Sequence, residues 1–456
     1  MMRLLKKLSP TQIIMISFLL AILIGSGLLA LPVSSVSPAG VPYIDALFTA
    51  VTSVCVTGLV TVPTVTTWSI FGQIVILLLI QAGGLGIVTV ISAFIIRLNH
   101  RLNRRIGIGA KMLLQDAFNL NTMANLITFV KNVLVGTFIV EGAGALLYMT
   151  VFVPEFGLRG IWVSIFNSVS AFCNAGIDII SENSLCSYVT NPMVNITTCI
   201  LVILGGLGYI VWWDIIRVIH NARTRGARCL RHLTLHSKVA VCMTLILILA
   251  GTAVFFAFEY NNELTIKNYS LPEKLLASFF QSVTTRTAGF ATIPQQNFTN
   301  SSSVVALILM FIGGSPVGTA GGVKTVTVAV LVVSAFATVK GKRQVVIFNR
   351  TIPKQAVSKS VAVICISFMI MFLSTLFLSI VTDADFLDIL YETASATATV
   401  GLSRDLTSSL NVWGRIIIII TMYLGRVGPI SLFIALNRNN APKSNIKEPT
   451  EQIQIG

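Results

Sequence analysis

Four stretches of this chain have the composition of a turn that could hold a dehydrated cation. Aligned on one glycine they read F-T-A-V-T-S-V-C-V-T-G (48–58), F-N-S-V-S-A-F-C-N-A-G (166–176), F-F-Q-S-V-T-T-R-T-A-G (279–289) and Y-E-T-A-S-A-T-A-T-V-G (391–401). Each opens on an aromatic residue (Phe48, Phe166, Phe279, Tyr391), is rich in Ser and Thr, and closes on Gly58, Gly176, Gly289 or Gly401. A cation entering a bilayer must exchange its water shell for other oxygens. Backbone carbonyls supply them where the chain turns back through a space lined by protein. Glycine permits the backbone angles of such a turn. No ring of carboxylates accompanies the four turns, so the expected ligands are carbonyls of Val56, Thr57, Gly58, Asn174, Ala175, Gly176, Thr287, Ala288, Gly289, Thr399, Val400 and Gly401. The ten residues before each glycine predict a short helix whose carbonyl end would favour a cation. The plainer reading is that the glycines only let helices pack closely; four in register, each after a polar half-helix, argue against it.

A second element follows each glycine: G-G-L-G at 83–86, G-G-L-G at 205–208, G-G-S-P at 313–316 and G-R-V-G at 425–428. In the third copy it opens a run of ten residues, 313–322, with five glycines (Gly313, Gly314, Gly318, Gly321, Gly322) and Pro316 among Thr319 and Ala320. Such a run cannot continue a helix at reasonable cost. It predicts an irregular loop near mid-membrane, beneath the filter, acting as a gate; a passive kink is the plainer alternative. The other three copies read as far less interrupted. Lys324 follows the loop and can lend it charge or reach a carbonyl. Arg426 stands where the other copies have Gly84, Gly206 and Gly314. A guanidinium at that depth is costly and functional by default; it would pin the gate loop or raise a barrier, the alternative being an ion pair with Glu141. Arg286, three residues before Gly289, is expected to brace its half-helix against Asp178 or Glu392.

Positioning four such turns requires a bilayer. The chain has 456 residues, 54% hydrophobic and only 11% charged, less than half the charge that covers a soluble domain. Its mean hydropathy is +0.85. Apolar segments at about 11–31, 68–97, 123–153, 193–219, 236–258, 303–339, 357–382 and 412–437 give eight expected spans. The sixth would make a helix of about 55 Å against a hydrocarbon core of about 30 Å, so it must break, tilt or project. The net charge of +15 sorts by side: 23 of the 32 Lys and Arg fall in the N-terminus, alternate loops and the tail. That pattern places both termini in the cytoplasm. It also weakens a nucleic-acid reading, while leaving room for anionic lipid or an acidic partner on that face. The expected order is a cytoplasmic N-terminus (1–10), repeat 1 (11–97), repeat 2 (123–219), repeat 3 with a broken second span (236–339), repeat 4 (357–437) and a cytoplasmic tail (438–456). The fold class expected is all-α, four parallel span–pore-helix–span repeats around a pseudo-fourfold pore.

Enzyme chemistry finds no footing. Seven cysteines show no metal spacing and suggest no disulfide framework. The four His residues lie near inner loops, and His232 and His236 share a helical face without a catalytic cluster. The apolar run from Ile13 to Leu31 is long for a signal peptide and right for a span.

T-x-R-T-A-G-F at 284–290, the four glycines, G-G-S-P-x-G-T-A-G-G-x-K-T at 313–325 and G-R-V-G-P at 425–429 resemble the Trk/Ktr/HKT superfamily of potassium transporters. The likeness covers about 10–438. Starting directly at the first repeat is similar to Ktr-type bacterial membrane subunits. The resemblance implies a homodimer in the plasma membrane, each protomer with its own pore, and a cytosolic ring of nucleotide-binding subunits docked on the basic inner face. Glycine in all four filters implies potassium as the transported ion. Stimulation by sodium is a family possibility for which no site is legible, and no resident cofactor is expected. A secondary transporter coupling potassium to sodium or protons is the alternative. It is weaker because coupling uses intramembrane carboxylates or inverted repeats, and this chain offers parallel repeats and chiefly Glu141.

Overall fold

A computed structural model describes residues 10–87, 89, 126–220 and 232–428. Within them the chain repeats one order of elements: a helix, a short buried helix, a glycine turn and a second helix. The first set is α1 (Pro10–Leu29), α2 (Tyr43–Cys55) and α3 (Ile70–Leu85). The second is α4 (Leu126–Phe156), α5 (Leu158–Cys173), α6 (Pro192–Leu207) and α7 (Tyr209–His220). The third is α8 (Leu235–Glu259), α9 (Leu271–Thr284), α10 (Asn300–Phe311) and α11 (Thr325–Val339). The fourth is α12 (Lys354–Val381), α13 (Phe386–Ala398) and α14 (Val412–Val427). The expected N-terminal segment, the tail, the ends of repeats 1 and 4 and the inner loops with Arg101, Arg104, Arg223 and Arg228 lie outside the described residues. Among the described residues the strands are a short hairpin in the loop before α12, β1 (Val346–Ile347) antiparallel to β2 (Arg350–Thr351).

Local sequence starts these helices. Each helix after a glycine turn begins on a side chain that accepts a hydrogen bond from its first turn: Ser69 from Gly72, Asn191 from Met193 and Val194, Thr299 from Ser302, and Asn411 from Gly414. Ser270 and Glu273 form a capping box at the start of α9. The short helices α2, α5, α9 and α13 form the centre. Phe48, Phe166, Phe280 and Tyr391 are at most 1% exposed. The long helices surround them and turn apolar side chains outward, among them Leu19, Leu23 and Ile24 on α1 and Phe368, Phe372 and Leu376 on α12. Among the described residues four helices are long and apolar enough to cross a membrane, five if α6 and α7 count as one bent span.

The second helices are shorter than the sequence suggested. Only the 303–339 span was expected to break, yet α3, α6 and α14 also stop inside the expected spans, at Gly86, Gly208 and Gly428. These glycines share one conformation, with φ and ψ of 83° and 123°, 87° and 139°, and 88° and 136°. A β-carbon makes that region nearly inaccessible. The last glycine of each G-G-L-G or G-R-V-G is therefore a helix stop, and α6 and α7 meet there at 97°.

Candidate ion filter and gate

The four glycine turns meet one another in cyclic order. A β-carbon built on Gly58 would stand 2.5 Å from the Ala175 carbonyl oxygen, one on Gly176 2.6 Å from that of Ala288, and one on Gly289 2.6 Å from that of Val400. One on Gly401 would collide with the Thr57 carbonyl oxygen, closing the circuit. Each glycine thus faces the residue before the next repeat's glycine, and no side chain fits between them. The residues two places earlier, Val56, Asn174, Thr287 and Thr399, all have positive φ (56°, 60°, 68° and 51°). A non-glycine residue rarely adopts this conformation, and such strain concentrates at functional sites. It turns the chain out of the short helix and into the filter segment.

Hydroxyl groups in the last turn of each short helix brace the segment from behind. Thr52 Oγ1 accepts from the Gly58 amide (2.9 Å) and Ser395 Oγ from that of Gly401 (3.0 Å). Ser170 Oγ donates to the Ile177 carbonyl (2.5 Å), and Thr284 Oγ1 to that of Phe290 (2.6 Å). The sequence reading passed over these four residues, although the Ser/Thr column six places before three of the glycines was its signal. In the third repeat the position slips by one. The Ala288 amide bonds four residues back to Thr284, whereas Thr57, Ala175 and Val400 bond five back. The connection is one residue tighter, so the buried aromatic there is Phe280 and not the aligned Phe279.

The 313–322 loop lies directly under these turns. Its neck is tied by Gly313 N–H to the Val323 carbonyl (3.0 Å), Val323 N–H to Phe311 (3.2 Å) and Thr325 N–H to Gly314 (2.9 Å). Its body runs against the α6–α7 bend. Ser315 and Thr319 amides donate to the Gly206 and Gly205 carbonyls, and the Tyr209 amide to that of Val317. Its tip reaches two of the glycine turns: Thr319 Oγ1 bonds to Asn174 Oδ1 (2.9 Å) and to the Phe172 carbonyl (3.1 Å), while Gly321 packs against Thr399. Thr57 Oγ1, Thr287 Oγ1, Thr399 Oγ1 and Asn174 Nδ2 are buried without a hydrogen-bond partner among the described residues. This is a set of spare polar atoms at the glycine turns, two of them, on Asn174 and Thr399, in residues that the loop touches.

Three cations serve the loop. Arg426 donates from Nη1 to the Thr319 carbonyl (2.7 Å) and from Nη2 to that of Gly83 (2.6 Å). Lys324 Nζ donates to the Ala320 carbonyl (2.6 Å) and more weakly to that of Gly321 (3.4 Å). Arg286 Nη2 reaches the Gly313 carbonyl at 3.4 Å. Two alternatives from the sequence fall here. Arg426 spends its donors on carbonyls, while Glu141 accepts from Gln81 (3.2 Å). Arg286 also has no acid beside it among the described residues: Asp178 is capped by the Ile180 amide, and Glu392 is engaged by Ser403 and Thr407.

Next to the turns lies a cavity of about 450 Å³ whose lining includes the four glycines, Asp178, Glu182 and Asp405. Burial pushes the Asp178 carboxyl up to about 6, against hydrogen bonds from Ser184 and from the Ile180 and Ser181 amides. Two ion pairs hold the surrounding walls: Arg415 to Asp45 (2.6 Å) joins repeat 4 to repeat 1, and Arg404 to Asp388 (2.6 Å) stands beside Ser303 of repeat 3.

Residues 7–446 match the family described as cation transport protein (TrkH). The chain belongs to the TrkH cation transport family. It is 38% identical over 451 residues to the Ktr system potassium uptake protein B of Bacillus subtilis, covering 99% of this chain and 97% of that one. It is 37% identical to the potassium/sodium uptake protein NtpJ of Enterococcus hirae, covering 99% and 98%. The crystal structure of the potassium transporter TrkH from Vibrio parahaemolyticus superposes with a TM-score of 0.70 at 16% identity, covering 92% of this chain and 84% of that one, which shows a shared fold. With its apolar helices, this makes the chain a multi-pass membrane protein of a transport family and not an enzyme.

Proposed function

We propose that this protein takes up potassium through a channel-like pore, with a filter built from the carbonyls of 56–58, 174–176, 287–289 and 399–401 and a gate formed by the 313–322 loop. The observation that carries the reading is the cyclic contact of Gly58, Gly176, Gly289 and Gly401 with the carbonyls of Ala175, Ala288, Val400 and Thr57. A pseudo-fourfold ring of carbonyls with no carboxylate replaces a hydration shell and suits a weakly hydrated monovalent cation. Short helices ending at the ring point their carbonyl ends inward, adding favourable potential. The relatives named for potassium uptake support the choice of ion, and Gly58 completes the set of four glycines.

The loop fits a gate because it is irregular backbone buried in protein, held under the filter by hydrogen bonds that can be exchanged. Membrane potential drives the ion inward. The protomer pairs with a second copy, and a cytosolic nucleotide-binding ring docks on the basic inner face; the Ktr system names of the relatives and the net charge of +15 support that pairing of subunits. Coupling to sodium or protons is a second reading favoured by one observation: Glu141 is a membrane-buried carboxyl, 4% exposed, beside Cys173 at the end of a pore helix. Rubidium uptake into liposomes, with and without an imposed voltage and a sodium gradient, tests both. Flux that follows voltage alone supports the channel, and flux that requires the sodium or proton gradient supports coupling.

A further inference from the structure

Arg286 is an expensive residue that the filter itself does not use. It is 7% exposed, makes no ion pair among the described residues, and the one hydrogen bond its side chain makes there runs to the Gly313 carbonyl. Its Nε has no partner among those residues, nor does Thr244 Oγ1, which lines the same small cavity with Gly206, Val283 and Gly314. Burying a cation without a carboxylate costs several kcal/mol unless carbonyls or a helix end offset it. Arg286 has both, since it stands just past the carbonyl end of α9.

The aligned positions show that room was made for it. Three residues before the other filter glycines stand Cys55, Cys173 and Ala398, all small. Cys173 packs on Gly84, and Ala398 touches Gly322. Opposite Arg286 the facing residues, Gly206 and Gly314, have no side chain. The loop therefore meets two arginines at different places: Arg426 at the Thr319 tip and Arg286 at the Gly313 neck.

We infer that Arg286 is a positioning residue that fixes the neck of the 313–322 loop to the third filter turn, so that the loop is clamped at both ends. It is three residues from Gly289, so a shift of the neck is felt by the filter turn, and a fixed neck lets only the tip move. The assignment rests on the loop being a gate. It assigns Arg286 no contact with the ion.

The test is rubidium flux in liposomes for Arg286→Gln and Arg286→Lys, each in the full chain and in a chain lacking 318–322, which removes the tip and leaves the neck. Arg286→Gln is expected to raise unregulated flux about threefold in the full chain, the size of one weak, long hydrogen bond. In the deletion background it should change flux by less than about 1.5-fold, since its effect passes through the missing tip. The potassium-to-sodium ratio should stay unchanged in both. Arg286→Lys should fall between wild type and Gln, and it decides the matter by the same comparison if the Gln variant does not fold. An equal flux change in both backgrounds, a lowered ratio, or wild-type flux at normal expression overturns the assignment. If deleting the tip alone leaves flux unchanged, the gate reading fails; if that deletion raises flux and the Arg286→Gln effect persists, only the role given to Arg286 fails.

Discussion

Arg426 reaches across 107 residues of sequence to donate a 2.7 Å hydrogen bond to the Thr319 carbonyl, and its other terminal nitrogen holds the Gly83 carbonyl at 2.6 Å. One guanidinium therefore ties the loop tip to helix ends of repeats 4 and 1. Charge-assisted hydrogen bonds contribute about 1.5–3 kcal/mol each, and a planar two-armed donor is what Lys cannot replace. Arg426→Gln should free the tip and raise unregulated potassium flux by at least about tenfold, with Arg426→Lys only partly restoring closure. Liposome flux at matched protein content measures this. Flux at the wild-type level in both variants would remove Arg426 from the gate.

Gly58→Ser tests the filter. The φ of Gly58 is 99°, and a β-carbon there would stand 2.5 Å from the Ala175 carbonyl oxygen. The neighbouring turn must give way, which displaces the Ala175 carbonyl and enlarges the ring. Potassium-over-sodium selectivity should drop by about tenfold or more while transport continues, the scale of losing one well-placed ligand. Competition of sodium against rubidium uptake reads it directly, and an unchanged ratio would count against the ring of carbonyls.

What the sequence revealed and what it hid follow from how each feature is encoded. The glycine turns were legible because the same requirement, backbone without a side chain, is written four times at matched spacing. The loop at 313–322 was legible because five glycines and a proline leave no helical option. The breaks at Gly86, Gly208 and Gly428 were hidden: the other glycines of each motif, such as Gly83, Gly84, Gly205, Gly206 and Gly425, do sit inside helices, and only the packed structure shows φ and ψ outside the range of other residues at the last one. The partner of Arg286 was misread for a related reason. A charge in a membrane invites a search for an acid, but a carbonyl satisfies it equally well and leaves no mark in the sequence. The bracing hydroxyls Thr52, Ser170, Thr284 and Ser395 were masked by the general richness in Ser and Thr.

Gly208→Ala measures the helix stop in repeat 2. Its φ of 87° and ψ of 139° are unsuited to alanine, and the new methyl would collide with the Pro316 carbonyl in the body of the loop. The expected cost is about 1–3 kcal/mol of stability, read as a lower melting temperature in detergent. Gly142→Ala is the control: it lies within α4 at an ordinary φ, with nothing within 4 Å of the new carbon, so alanine there should be neutral or slightly stabilising. Equal melting temperatures for the two variants would show that the 208 bend does not depend on glycine.

Asp178 predicts a dependence on external pH. Burial raises its carboxyl from the usual 3.8 to about 6. Between those values the folded protein binds the proton more tightly than the unfolded chain. This contribution to stability is therefore present at low pH, falls as pH rises through that window, and is constant above about 6. The functional sign is opposite. Above about 6 the carboxylate adds negative charge to a vestibule it shares with Glu182 and Asp405, concentrating cations at the outer mouth. Raising external pH from about 5 to 7 should lower the apparent KM for potassium while leaving the maximal rate nearly unchanged. Asp178→Asn should hold the KM near its acid value across that range and make the stability slope between about 4 and 6 shallower. A KM in the Asn variant that still follows external pH as in wild type would show that Asp178 is not the source of the effect.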